Sequence, residues 1–356
     1  MNVVEEPPPT AAPPGRRLPR LRLGDTGGVA IALAVLLLVA SVTMPSFPTW
    51  DNLMNIVGSN SVVLALAIGV TFVIIAGGID LSFVGVTATS GMVLGLLLGA
   101  GLPLVVCLAA GLAGGVLLGL VNGLLIARAG ISFLVVTLGM SSIATSLALV
   151  LNDGATVNVF EEPAFEPLRT FATDDVGPVP ILLLFDVLLV LLAAGVLNYT
   201  RFGRALYAVG SNAEAARLNG VDVRRTTVWV YVLAGLTAGV AAAIQVGRLT
   251  GASPQTDPSL LNGVLAAVLI GGASFTGGKG GVAGTVLGVL FLGVVQNTMT
   301  LTDVSSFWRQ AVNGALLILA VGIGVARSSA GPRRRRRKAP LGPTRSQARP
   351  EEVVGV

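Results

Sequence analysis

The sequence predicts an all-α fold: a polytopic transmembrane helix bundle of about ten spans (eight to ten), with the N and C termini cytoplasmic. Three observations predict it. The 356 residues are 53% hydrophobic and only 12% charged, about half the charge of an average soluble domain. Apolar runs of about 20 residues, the length that crosses a hydrocarbon core of roughly 30 Å, recur along nearly the whole chain. The charge is segregated: residues 1–25 and 327–356 hold 13 of the 23 Lys and Arg, so the net +5 belongs to the tails while the body is slightly acidic.

Taken in order, the runs fall near 28–47, 57–77, 83–100, 103–126, 131–151, 178–198, 226–247, 260–277, 281–300 and 306–326. The first is too long for a signal peptide and lacks a cleavage site of small residues. In the eighth, Gly271, Gly272, Gly277 and Gly278 allow a re-entrant segment instead of a full span, and eight spans fit if two weaker ones are re-entrant. Loop charge tests the count, because short cytoplasmic loops collect Lys and Arg. The loop at 152–178 carries six acidic residues and Arg169 alone, which suits the outside. Residues 199–227 carry Arg201, Arg204, Arg217, Arg224 and Arg225, which place them inside. Starting from a cytoplasmic Arg16, Arg17, Arg20, Arg22 cluster, five crossings reach the acidic loop, a sixth reaches the basic one, and four more return Arg333–Lys338 to the cytoplasm.

The domain division follows: residues 1–25 a disordered basic cytoplasmic tail, 26–326 a transmembrane body containing the polar segment 199–227, and 327–356 a second disordered basic tail. The Arg run reads as an anchor on anionic lipid headgroups. Several functions are excluded. Without basic stripes interleaved with aromatics in the body, nucleic acid is not a partner. One cysteine, Cys107, permits neither an intrachain disulfide nor a thiolate metal cluster, and the absence of His removes the usual general base and metal ligand. The expectation is a chain with no catalytic residue, no metal site and no cofactor.

The segment RFGRALYAVGSNAEAARLNGVDVRRTT at 201–227 is too polar to cross and carries helix signals. Ser211 followed by Glu214 has the spacing of a capping box, and Gly220 is placed to end the helix in the left-handed conformation, giving a short helix at about 212–219. Ala213, Ala215 and Ala216 give it a small-residue surface. Two readings stay open from the residues alone: a docking element for another protein, or a turn helix lying on the headgroups.

AGGIDLS at 76–82 pairs flexible Gly77 and Gly78 with Asp80 at an inner helix junction. An ionisable group at membrane depth costs about 2.5–3.5 kcal/mol on insertion scales and is a functional candidate; equally, its carboxylate can cap the following helix with help from Ser82. Gly278, Lys279 and Gly280 imitate the end of a phosphate-binding loop, but Ala273 and Gly280 stand where that motif needs Gly and Ser or Thr, so no nucleotide site is expected. The amides Asn122, Gln245, Gln296, Asn297, Gln310 and Asn313 suit a hydroxyl-rich solute chemically, and interhelical hydrogen bonding explains them as well. Asp186 lies in the sixth span without a charged neighbour in sequence: either protonated and hydrogen-bonded, or wetted.

With the coupling-like segment 201–226, AGGIDLS at 76–82, NGLLIA at 122–127, VTLGM at 136–140, IGGASFTGGKG at 270–280 and SSFW at 305–308, the chain resembles bacterial ABC-importer permeases of the ribose, xylose and inositol type. The motifs run in family order from about residue 52 to 325. The resemblance implies a multi-pass plasma (inner) membrane subunit without its own catalytic site. It implies four partners: a cytoplasmic ABC ATPase, an extracytoplasmic sugar-binding protein, a second permease copy (homodimer) or a related permease, and membrane lipid. The ATPase would grip Ser211, Asn212, Glu214, Ala215, Ala216, Arg217 and Gly220, and drive spans six and seven. Gly77, Gly78, Asp80, Asn122, Gln245 and Asn297 are candidates for the path of a monosaccharide or related polyol. Asn262 and Asn313 stand where relatives carry Asp and Lys, so a charged pair there would have become two amides. The alternative is an ion-coupled secondary carrier using Asp80 and Asp186.

Overall fold

The structure, a computed structural model, describes residues 27–305 and 307–329. The proline-rich start, the Arg333–Lys338 run and the tail readings built on them lie outside the described residues, although the last helix continues to Ser329, three residues past the expected boundary. Each apolar run contains a helix, most of them close to the expected bounds, with α2 starting seven residues earlier: α1 (Gly27–Thr43), α2 (Trp50–Ile75), α3 (Phe83–Gly99), α4 (Leu104–Ala127), α5 (Phe133–Val150), α7 (Ile181–Tyr199), α10 (Val223–Leu249), α11 (Ser259–Ile270), α12 (Val282–Leu301) and α13 (Phe307–Ser329). Three further helices lie between spans: α6 (Glu166–Thr173), α8 (Arg201–Ser211) and α9 (Ala213–Leu218). A 3-10 turn at Pro163–Phe165 and two tiny antiparallel pairings complete the secondary structure of the described residues, Val157–Asn158 with Gly251–Ala252, and Asp175–Val176 with Val179–Pro180.

Six of these helices, α2, α4, α5, α7, α10 and α12, are long and apolar enough to cross a membrane; α1, α3, α11 and α13 are apolar over shorter stretches. The eighth run is cut short. Helix α11 stops at Ile270, and 12 residues give it a length of about 18 Å, well under a bilayer core. Gly272, Gly277, Gly278 and Gly280 all adopt positive φ in the loop that follows, which is why the helix cannot continue to 277.

Helix α2 is the hub. It packs against α7, α8, α10, α11 and α12, and buries 78% of its apolar stretch, whereas α4 and α7 bury 22% and turn the rest outward. An outward apolar face is the stable arrangement in lipid, which offers Leu and Val as good a solvent as the protein interior. Helix α4 carries Gly111, Gly115, Gly119 and Gly123, spaced four apart: the last three join it to α10, while Gly111 meets Ser90 and Leu94 of α3. A Cβ on Gly123 would stand 2.9 Å from the Val228 backbone, and Gly115 and Gly119 meet the backbone of Gly235. Small residues at this spacing let helix backbones touch, and the gain is van der Waals contact.

The loops gather at two ends. Ile75, Gly210 and Gly278 meet at one, while Trp50 reaches Pro178 and Val157 pairs with Ala252 at the other.

Candidate functional site

The polar segment between α7 and α10 folds as two helices where the sequence suggested one. Thr200 caps α8, its hydroxyl accepting from the Gly203 N–H at 3.1 Å. Leu206 and Val209, with Gly203, form the buried stripe that seats α8 on the bundle. The capping box is not formed. Ser211 is the last residue of α8, and the cap of α9 is Asn212, whose Oδ1 accepts from the Ala215 N–H at 2.9 Å. The Glu214 carboxylate turns instead to Arg217, one turn on at 2.6 Å. That guanidinium holds the Glu214 carboxyl below its usual range. The physical reason is the extended backbone of Asn212, which separates the two helices and leaves the Ser211 hydroxyl on the wrong side of the break. The end of α9 is as expected: Gly220 has φ +81°, Val221 N–H reaches Ala216 C=O at 3.0 Å, and Gly220 N–H reaches Arg217 C=O at 3.0 Å.

Of the residues expected on this surface, Ser211, Asn212, Glu214, Ala215, Arg217 and Gly220 are exposed. Ala216 is not: at 5% exposure it is packed beneath α9, and holds the helix down instead of facing a partner. Leu218, 76% exposed, is the apolar side chain that the sequence reading overlooked here. An apolar side chain at the tip of a polar helix is the available signal for a contact surface.

Asp80 lies in the break between α2 and α3 and is 3% exposed. Its Oδ1 accepts from both the backbone N–H of Ser82 (2.7 Å) and the Ser82 hydroxyl (2.6 Å), so the carboxylate finishes the start of α3. Asn122 of α4 donates to the Ser82 Oγ at 2.8 Å, which ties the break and the start of α3 to α4 in one buried chain of hydrogen bonds. The Asn122 Oδ1 has no partner among the described residues. Tyr231 of α10 donates to the Ile79 carbonyl in the same break at 3.2 Å. Gly77 takes φ +83° and Gly78 leaves room for the Tyr231 hydroxyl, which a Cβ would approach to 2.8 Å.

The remaining path candidates are dispersed. Asn297 of α12 pairs reciprocally with Asn52 of α2 (2.7 and 3.1 Å), at the opposite end of the bundle from Asp80. Asn313 bonds to the Ser259 carbonyl (3.3 Å) and to Gln296 (3.4 Å), and no hydrogen bond joins it to Asn262 among the described residues. The two amides therefore do not form the pair that the substitutions suggested. Gln245 is half-buried on α10. Asp186, buried in α7, accepts from the Ser61 hydroxyl of α2 at 2.6 Å and borders a mostly apolar cavity of about 260 Å³ between α2, α7 and α12. A larger, polar cleft of about 680 Å³ opens at the end bearing α6, lined by Trp50, Asp51, Asn55, Asp174, Asp175 and Arg248.

The loop 271–281 spends the N–H of Gly278 on the Ile75 carbonyl at 2.8 Å, so the glycines that imitate a phosphate loop are used to join the loop to α2.

Residues 52–321 match the family described as branched-chain amino acid transport system / permease component. The ribose import permease protein RbsC of Escherichia coli (strain K12) is 37% identical, over 82% of this chain and 91% of its own length. The L-arabinose ABC transporter permease protein AraH of Azospirillum brasilense is 34% identical (84% of this chain, 87% of its own). The D-allose transport system permease protein AlsC of E. coli K12 is 31% identical (84% and 91%). With its motifs, helices and relatives in agreement, the chain is a multi-pass inner-membrane protein that belongs to this family of importer permease components, and within it to the ribose-type ABC permeases.

Proposed function

We propose that this permease carries a monosaccharide or related polyol inward, powered by a separate cytoplasmic ATPase that docks on α9 and fed by an extracytoplasmic binding protein. The observation that carries the mechanism is α9 itself: a short helix capped at both ends, lifted clear of the bundle except at Ala216, and showing Leu218 and the Glu214–Arg217 pair to solvent. The relatives named for ribose, arabinose and allose favour a sugar, although the family description speaks of branched-chain amino acids. The chain has no catalytic role in this reading; ATP hydrolysis belongs to the partner.

The topology with both ends inside is supported by the sorting of loops. The basic 199–222 segment, the 76–82 break and the 271–281 loop share one end; the acidic 152–178 loop shares the other with 44–50 and 250–258. Each long helix thus changes ends, as alternating crossings require, and the Arg-rich end takes the cytoplasm. A second copy of the chain, or a related permease, completes the path. The body 26–326 acts as one transport domain, with 1–25 and 327–356 as tails.

Glu214→Arg and Gly220→Trp test the reading. Both variants should insert and express as the parent does, while ATP hydrolysis and solute uptake become uncoupled. Uptake that collapses with a protonophore while ATP is held constant would overturn it in favour of a carrier titrating Asp80 and Asp186.

A further inference from the structure

Three sequence motifs that lie about 70 to 200 residues apart close on one point. Gly210, in the last turn of α8, sits against the end of α2: a Cβ there would fall on the Ile75 carbonyl oxygen and within 2.7 Å of the Gly278 nitrogen. The Gly278 N–H donates to that same carbonyl at 2.8 Å. One turn earlier on α8, the Tyr207 hydroxyl donates to the Gly280 carbonyl at 2.8 Å. Gly77, held at φ +83°, brings the start of the 76–82 break against the Gly210 backbone. No side chain separates these three backbones. A contact of main chain on main chain has no rotamer to yield, so a shift of one segment is passed to the others, as close-packed interiors transmit strain.

We propose that Tyr207 and Gly210 are positioning residues that carry the movement of α9 directly to the ends of α2 and α12, beyond the flanking α7 and α10. The proposal rests on the reading of α9 as the ATPase contact. Its consequence is that force enters at the hub of the bundle. Helix α2 packs against α7, α10, α11 and α12, and the 76–82 break places the Asp80–Ser82–Asn122 chain directly beyond Gly77. The loop 271–281 leads straight into α12. Two packed elements moved from one junction give the bistable rigid-body change that alternating access needs.

The test uses the complete complex, permease with its ATPase, in proteoliposomes, with labelled D-ribose as the solute. ATPase retention, ATP hydrolysis and uptake are read on one preparation. Tyr207→Phe keeps the ring and removes only the hydrogen bond; it should retain the ATPase and hydrolyse ATP, while uptake per ATP falls by about three- to tenfold, the equilibrium change one hydrogen bond supports. Gly210→Ala should lower the ratio further. Uptake per ATP equal to the parent in both variants, with the ATPase still bound, would overturn the proposal and leave the junction as local packing. A parent permease that neither retains an ATPase nor takes up solute with ATP would instead remove the reading of α9 beneath it.

Discussion

The two ends of the bundle are built differently. At the end carrying α9, the chain segments meet through backbone: Gly210 against Ile75, Gly278 bonded to Ile75, Gly77 beside Gly210. At the opposite end, beside the short Val157–Ala252 backbone pairing, contacts run through side chains: Trp50 Nε1 to the Pro178 carbonyl at 2.7 Å, Asn52 with Asn297, and Phe171 edge-on to Phe185 at 5.3 Å between ring centres. That end also holds the polar cleft of about 680 Å³. Side chains with several rotamers can repack around a visitor, whereas glycine backbones in contact cannot. The difference suits one end to transmitting displacement and the other to admitting solute.

Substitutions at the two ends should therefore differ in size. The largest effect is expected from Gly210→Val, where two methyl groups meet main chain, with a loss of about 3 kcal/mol or more. Cys107, the only cysteine and fully buried in α4, supplies the readout, since a thiol-reactive dye should label it only on unfolding. Ser61→Ala comes next. It removes the hydrogen bond to the buried Asp186 carboxylate and should cost about 1–3 kcal/mol in the same assay, while Asp186→Asn restores part of the loss in the double variant. Asn212→Ala should weaken α9 by about 1 kcal/mol through its cap, and Ser211→Ala should not, which amide exchange at Ala215 distinguishes. At the other end, Trp50→Phe loses one exposed hydrogen bond and should shift melting by no more than about 1 kcal/mol. A loss at Trp50 as large as that at Gly210 would break the comparison.

The smallest effect concerns pH. The Arg217 partner lowers the Glu214 carboxyl, so the contribution of this pair is complete above the usual carboxylate range and fades only as pH falls through the lowered value. Between pH 6 and 8 the melting difference between the parent and Arg217→Gln should be small and independent of pH, and a pH-dependent difference within that window would assign the pair a role other than this surface bond.

Much of this was legible in sequence, and the exceptions have physical reasons. Apolar runs gave the helices because lipid demands continuous helix, and Gly220 marked a helix end because no other residue takes positive φ so readily. The capping box misled by one position: Ser211 and Asn212 are both good caps, and the choice was made by where α8 ended, with Glu214 drawn away by Arg217. Helix α8 carries its buried stripe at Phe202, Leu206 and Val209, a period lost inside a segment judged only by its polarity. The Gly111 to Gly123 stripe was open to reading, since a spacing of four in an apolar helix signals close packing. The junction of Gly77, Gly210 and Gly278 was not, because spacing says nothing about contacts across about 70 to 200 residues. Among the path candidates, Asp80 and Asn122 are brought together, while Gln245 and Asn297 lie elsewhere, since amide chemistry alone does not say which face of a helix turns inward.

In the proposed coupling, ATP hydrolysis on a partner gripped at α9 moves solute through this chain. Its most direct measurement is uptake of labelled D-ribose by proteoliposomes of the complete complex, with binding protein present, ATP supplied on the α9 side and no ion gradient. Uptake should be abolished by vanadate and left intact by a protonophore. Uptake that persists in vanadate and needs an imposed proton or sodium gradient would contradict the coupling.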